Sequence, residues 1–222
     1  FTKFVTETVF ISSYGYTPNF MMKLNYTLLF FLFSILAFSQ TRTYTTFRAL
    51  QAPDIDGQLT DDCWQNAVWT SDFVQYEPNS GAAPSQQTKF AIVYDDNNLY
   101  VAIKALDTEP DRIVRRVSRR DVADGDAVAI GIDSYEDKMT AFAFQVSASG
   151  SKRDFRLTEG GNEDDSWDPI WEAKTSLQAD GWYAEMRIPY SQLRFGKKAE
   201  YCWGLEVMRH VYRYKENSFW QP

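Results

Sequence analysis

Along much of the chain, apolar residues fall at alternate positions in short runs, the spacing of strands that bury one face. Phe90, Ile92 and Tyr94 alternate, Asp95-Asp96-Asn97-Asn98 turns the chain, and Leu99, Val101 and Ile103 alternate again, which predicts a hairpin. Val128, Ile130 and Ile132 predict another strand, as do Phe142, Phe144 and Val146. Ala179-Asp180-Gly181 separates a strand around Trp171 from one carrying Trp182, Ala184, Met186 and Ile188, and a last strand runs from about Tyr201 to Tyr212. One short helix is expected after Asp56-Gly57, with Thr60 as N-cap and Asp61-Asp62 in its first turn. Short strands, frequent turns and little helix predict an all-β fold, an antiparallel β-sandwich of immunoglobulin-like or jelly-roll type.

The opposite faces of these strands carry more information. Between the apolar positions of two of them sit Ala127, Ala129 and Gly131, then Ala141, Ala143 and Gln145. A solvated sheet face is normally polar. A face stripped to small residues implies something lying close against it: a loop, a ligand or another domain. Later strands put Glu185, Arg187, Glu206, Met208 and His210 on the corresponding positions. Cross-strand ion pairing and a polar pocket floor are the two readings of that row.

The first forty residues read as targeting rather than fold. Met22-Lys23 opens a run that is apolar almost throughout from Leu28 to Phe38 and ends Ala37-Phe38-Ser39-Gln40. A basic start, a short apolar stretch and small residues at the cleavage site predict a signal peptide over 22–39. The apolar part is shorter than the roughly 20 residues a membrane helix needs. Residues 1–21 are expected to be an upstream segment foreign to the natural product. The mature domain is expected over 40–222, cut at its C-terminal end, in an exported protein of the periplasm, outer membrane or extracellular space.

Composition supports one aromatic-rich core: 222 residues, 44% hydrophobic, with 13 Tyr, 16 Phe and 7 Trp. A net charge of −7 argues against nucleic acid or anionic membrane as partner. Cys63 and Cys202 lie far apart in sequence, and two separate thiols are favoured over a disulfide. With His210 the single histidine and no cysteine cluster, a structural zinc site is excluded. No nucleophile elbow, phosphate loop or histidine-pair metal motif is present, so the fragment is not expected to be an enzyme by itself.

Several segments in order resemble carbohydrate-binding module family 9. They are Ile55-Asp56-Gly57 with Cys63-Trp64, the run Tyr94 to Val101, Asp124-Gly125-Asp126 leading into Val128 to Asp133, and Gly181 to Pro189. A closer resemblance is to a subgroup in which this module stands at the N-terminus of large exported bacterial proteins. Its marks are Pro110-Asp111-Arg112-Ile113-Val114, Arg119-Arg120-Asp121, Ser149-Gly150 with Arg153-Asp154, Trp167 to Glu172, and Ile188 to Phe195. The remaining region of those proteins looks like a membrane β-barrel. The resemblance implies a β-sandwich that holds a sugar end between two Trp rings, helped by charged side chains, with calcium as a structural ion. Trp220 matches the later of those Trp residues. The earlier one falls where this chain has Asp121-Val122-Ala123, the family's acidic residue falls at Ala129, and its Arg falls near Gln145.

The candidate sugar contacts are therefore Trp220 and Trp167 as platforms, with Gln145, Glu185 and Arg187 as polar partners, since sugar C–H patches pack on rings and hydroxyls need convergent polar groups. Asp124 and Asp126 are the candidate calcium ligands. Arg112, Arg115, Arg116, Arg119 and Arg120 form a basic cluster. The first four share a face if helical, to be read as a salt-bridged surface or as a site for acidic glycan. Trp64 and Trp69 are expected in the core. Met208 and His210 sit on one strand face, the wrong geometry for clasping a haem. The expected function is glycan binding in an exported protein linked to carbohydrate breakdown, any glycosyl hydrolase activity residing in the missing part. The alternative is a docking domain whose small-residue face packs on its own C-terminal region.

Overall fold

The computed structural model describes residues 41–122, 124–198 and 200–221. The signal peptide and upstream segment expected over 1–39 lie outside them. The compact unit spans Thr43–Pro222.

Two sheets form. The first holds five strands in the order β1 (Phe47–Arg48), β3 (Thr88–Tyr94), β4 (Asn98–Leu106), β10 (Gly181–Pro189) and β9 (Glu172–Gln178). The second holds seven, in the order β2 (Val74–Glu77), β12 (Glu216–Phe219), β11 (Gly204–Val211), β5 (Ala127–Asp133), β6 (Ala141–Ser147), β7 (Lys152–Thr158) and β8 (Asn162–Asp164). Every pairing is antiparallel except β1 with β3. The predicted β-sandwich is what forms.

The alternating residues seen in the sequence close the space between the sheets. Phe90, Ile92, Val101, Ile103, Trp182, Met186 and Ile188 from one sheet meet Val128, Ile130, Ile132, Phe144, Val146 and Val207 from the other. Each such side chain, taken fully out of water, stabilises by about 1.5–3 kcal/mol, so this shared core dominates the energetics.

A second, smaller core covers the outer face of the five-stranded sheet. Ala91, Val93, Tyr100 and Ala102 pack there against Leu59 and Trp64 of the N-terminal segment. That segment carries the expected short helix, α1 (Asp62–Gln65). Asp61, not Thr60, is its N-cap residue, and it makes no side-chain capping bond. Among the described residues, no second hydrophobic cluster covers the outer face of the seven-stranded sheet.

The arginine cluster is not helical. After a single 3-10 turn at Pro110–Arg112 the chain runs as a loop to the strand β5. Three of the side chains form ion pairs: Arg112 with Glu109, Arg116 with Asp124, and Arg120 with Asp121, Asp154 and Asp168. The salt-bridged reading holds for these three. Both cysteines are free, Cys63 half-buried and Cys202 exposed.

Candidate functional site

On the outer face of the seven-stranded sheet the small residues leave a depression. Ala129 of β5 stands between Met208 of β11 and Gln145 of β6, and one row along Ala127 stands between His210 and Ser147. Larger side chains rise around these alanines and line a shallow, open pocket of about 280 Å³, formed by Gly125, Gln145, Met208, His210, Tyr212 and Asn217. Ligand pockets span roughly 300–1,000 Å³, so this one suits a single small ring rather than a long chain.

Its polar walls are held in place. Gln145 is buried at the edge of the floor, beside Arg153 on β7. Arg153 in turn pairs with Glu163 and Asp165. Arg116 lies 5.1 Å from the Tyr212 ring centre and donates to its hydroxyl at 3.0 Å and to Asp124 at 3.1 Å. Asn217, cross-strand partner of His210, bonds the imidazole Nδ1 at 2.7 Å and donates to Glu77 at 2.9 Å.

The structure does not assemble the sequence candidates into one site. Gln145 lines this pocket, but Glu185 and Arg187 project from β10 on the outer face of the other sheet, across the sandwich. Glu185 is wholly buried. Its carboxylate accepts the N–H of Asp56 at 3.1 Å, of Gly57 at 2.9 Å and of the Trp64 indole at 2.7 Å. Burial pushes its pKa up, against those donors pulling it down. It is a structural clasp, closed to ligands. Arg187 pairs with Glu172, its cross-strand partner on β9.

Neither tryptophan is an open platform. Asn217 and Phe219 share the outer face with His210 and Met208, so the next residue in the alternation, Trp220, turns inward. It is 3% exposed, edge-on to Phe90 with ring centres 5.2 Å apart. Trp167 is half-buried against Phe142 and Phe144 at 4.9 and 5.4 Å, a loop anchor on the margin of the core.

The aspartates do not suit calcium. Asp126 is buried, accepting the N–H of Val114 at 2.9 Å and facing the Arg209 guanidinium at 3.5 Å. Burial raises its pKa. Asp124 is engaged by Arg116. Calcium needs about 6–8 oxygen ligands, and here arginines already supply the positive charge. Among the described residues no cluster of metal-ligating side chains occurs.

Tyr212 and Asn217 were not among the sequence candidates. The legible signal was the alternation itself: His210 and Met208 on the face shared with Ala127 and Ala129.

The sequence profile described as carbohydrate family 9 binding domain-like matches residues 55–214, and the chain belongs to that family. Similar solved structures include a family 9 carbohydrate-binding module from Caldicellulosiruptor kristjanssonii in complex with glucose. It is 22% identical with a TM-score of 0.56, the match covering 79% of this chain and 85% of that one. The complex of a family 9 module from the same organism with cellotriose gives 22% identity and a TM-score of 0.55, covering 79% and 83%. At this identity the likeness is one of fold. No curated protein matches the chain.

Proposed function

We propose that this carbohydrate-binding domain seats one neutral sugar unit of a glycan in the pocket on the outer face of its seven-stranded sheet. The observation that carries the reading is the pocket lined by Gln145, Met208, His210, Tyr212 and Asn217, with Ala127 and Ala129 as the small cross-strand neighbours of His210, Met208 and Gln145. Small residues admit a ring close to the sheet, and the walls offer donors and acceptors to its hydroxyls. With Trp220 inside the core, apolar contact falls to Met208 and Tyr212. The family 9 structures named above hold glucose and cellotriose, which makes these the first ligands to test. Calorimetric titration of the whole chain should show binding. Ala129→Phe, which fills the floor, should abolish it while the near-ultraviolet circular dichroism stays native. Binding retained in that variant would place the site elsewhere.

A second reading has the same face docking on another part of a longer protein. What favours it is that no tryptophan among the described residues lies open on this face. Titrations without heat from protein shown to be folded would turn the balance to docking. In either case the domain would serve an exported protein linked to glycan breakdown, with any hydrolase activity in another region. Secretion of the tagged chain from a bacterial host, abolished by deleting residues 22–39, tests the export.

A further inference from the structure

The single histidine of the chain stands in the pocket wall with its polarity set by its neighbours. Glu77, Asn217 and His210 are successive cross-strand partners on β2, β12 and β11. Asn217 approaches the Glu77 carboxylate at 2.9 Å, which an amide can do only with its nitrogen. The amide is thereby oriented, and its oxygen faces His210 Nδ1 at 2.7 Å. An oxygen at that position calls for the proton on Nδ1. The neutral ring then has a bare Nε2, an acceptor with no partner among the described residues. Beside it, Tyr212 accepts from Arg116 and keeps its own proton to donate, the two ring centres lying 6.0 Å apart.

We infer that His210 Nε2 is the acceptor for a ligand hydroxyl, held in that role by Asn217 and Glu77, so that the pocket takes an uncharged sugar and loses affinity when His210 gains a proton. This rests on the sugar-binding reading of the pocket. A hydroxyl reaching both side chains accepts from Tyr212 and donates to His210. Protonation at Nε2 makes both neighbours donors, turns the hydroxyl's proton against an N–H, and brings a charge into the pocket. The relay to Glu77 survives, because Nδ1 keeps its proton in both states. The charged and titratable groups tied to the ring are Glu77 through Asn217, and Tyr212 with the Arg116–Asp124 pair behind it; Lys215 ends the turn between β11 and β12, Glu206 lies further along the same face of β11, and Arg153 stands beside Gln145. From β5 and β6 the row continues with uncharged Ala127 and Ser147. Arg209, next in sequence, points to the opposite face toward Asp126. Asn217 and Glu77 act as positioning residues.

Two measurements on the whole chain test this. Long-range 15N–1H spectra of the one imidazole should show the Nδ1-protonated tautomer at pH 8, and Asn217→Ala should mix the tautomers. Glucose and cellotriose titrations should lose about tenfold in affinity between pH 8 and pH 5, the range over which histidines ionise. His210→Phe should bind weakly at pH 8 with no pH dependence, and His210→Gln, whose amide oxygen can accept, should recover affinity while keeping the flat profile. An Nε2-protonated tautomer, or a flat profile in the native chain with sugar bound, overturns the inference alone. No sugar binding at any pH overturns the sugar reading, and the inference with it.

Discussion

Single buried charges hold the two sheets and their cover in place. Glu185 collects two backbone N–H groups and an indole from the N-terminal segment, so Glu185→Ala would leave these donors without a partner inside a cavity. Orphaned buried donors cost about 1–3 kcal/mol each, so this variant should lose roughly 3 kcal/mol or more in denaturant unfolding; a loss below about 1 kcal/mol would contradict the clasp. Asp107 works differently. Its buried carboxylate takes two bonds from Arg213 at 2.7 and 2.8 Å and the N–H of Glu109 at 2.7 Å. Burial opposes its ionisation, but Arg213 and the backbone donor win, holding its pKa below the ordinary carboxylate value. A carboxylate whose folded pKa is lowered stabilises above its unfolded pKa and loses that contribution as pH falls through the folded one. Unfolding free energy should therefore drop on acidification below about pH 4. Asp107→Asn should lessen that pH dependence while lowering stability at pH 7 by about 1–3 kcal/mol, since Arg213 keeps an amide oxygen and the Glu109 carboxylate at 3.9 Å but loses its main counter-charge. An unchanged acid limb in the variant would remove Asp107 from the account.

At the scale of elements, what could be read from the chain depended on which face of a strand was apolar. The strands β3, β4, β5, β6, β10 and β11 follow the alternation closely, because each buries aliphatic or aromatic side chains between the sheets. The strand β7 was invisible for the opposite reason. Its inward positions are Lys152, Asp154 and Arg156, and its apolar Phe155 and Leu157 lie on the outer face with Ala143 and Ala141. Asp154 is buried there because the Trp171 indole and Arg120 both bond it, at 2.8 Å each. Pairings made at such distance in sequence have no periodic signature. The short strands β1, β2, β8 and β12 had too few residues to register. Turns were legible where a side chain caps them: Asp95 accepts the N–H groups of Asn97 and Asn98, both at 2.7 Å. Gly181 marks another kind of requirement. At φ +146° it opens β10, and a Cβ there would stand 2.3 Å from the Ala105 carbonyl oxygen. Backbone cannot yield that far cheaply, so Gly181→Ala should shift β10 against β4 and destabilise by about 2 kcal/mol or more. A thermal melt within a degree of the parent would show that the hairpin has slack the geometry denies.

For the whole molecule, the segments that carry the family resemblance are mainly those that hold the sandwich together. Asp56-Gly57, Trp64 and Glu185 come from three of them and meet at one carboxylate, and Asp126 from another is sealed against Arg209. This explains why the fold was legible while the site was not: those residues meet one another because the architecture needs them, whereas the pocket is built from positions whose meaning depends on facing partners. Glu185 and Arg187 share strand alternation with a ligand-facing row but lie on the far side of the sandwich, a distinction that sheet order alone decides. The two faces therefore make opposite predictions for equally polar substitutions. Arg187 forms an exposed pair with Glu172, and such pairs contribute about 0–1 kcal/mol. Arg187→Ala should leave both stability and sugar affinity nearly unchanged. Gln145→Ala, on the pocket side, should weaken binding by about three- to tenfold through loss of a hydrogen-bonding amide, with little effect on the melt. Titrating both variants with the same sugar separates the faces. If Arg187→Ala destroys binding and Gln145→Ala does not, the ligand sits on the five-stranded sheet, and the small-residue face of the other sheet is left for docking.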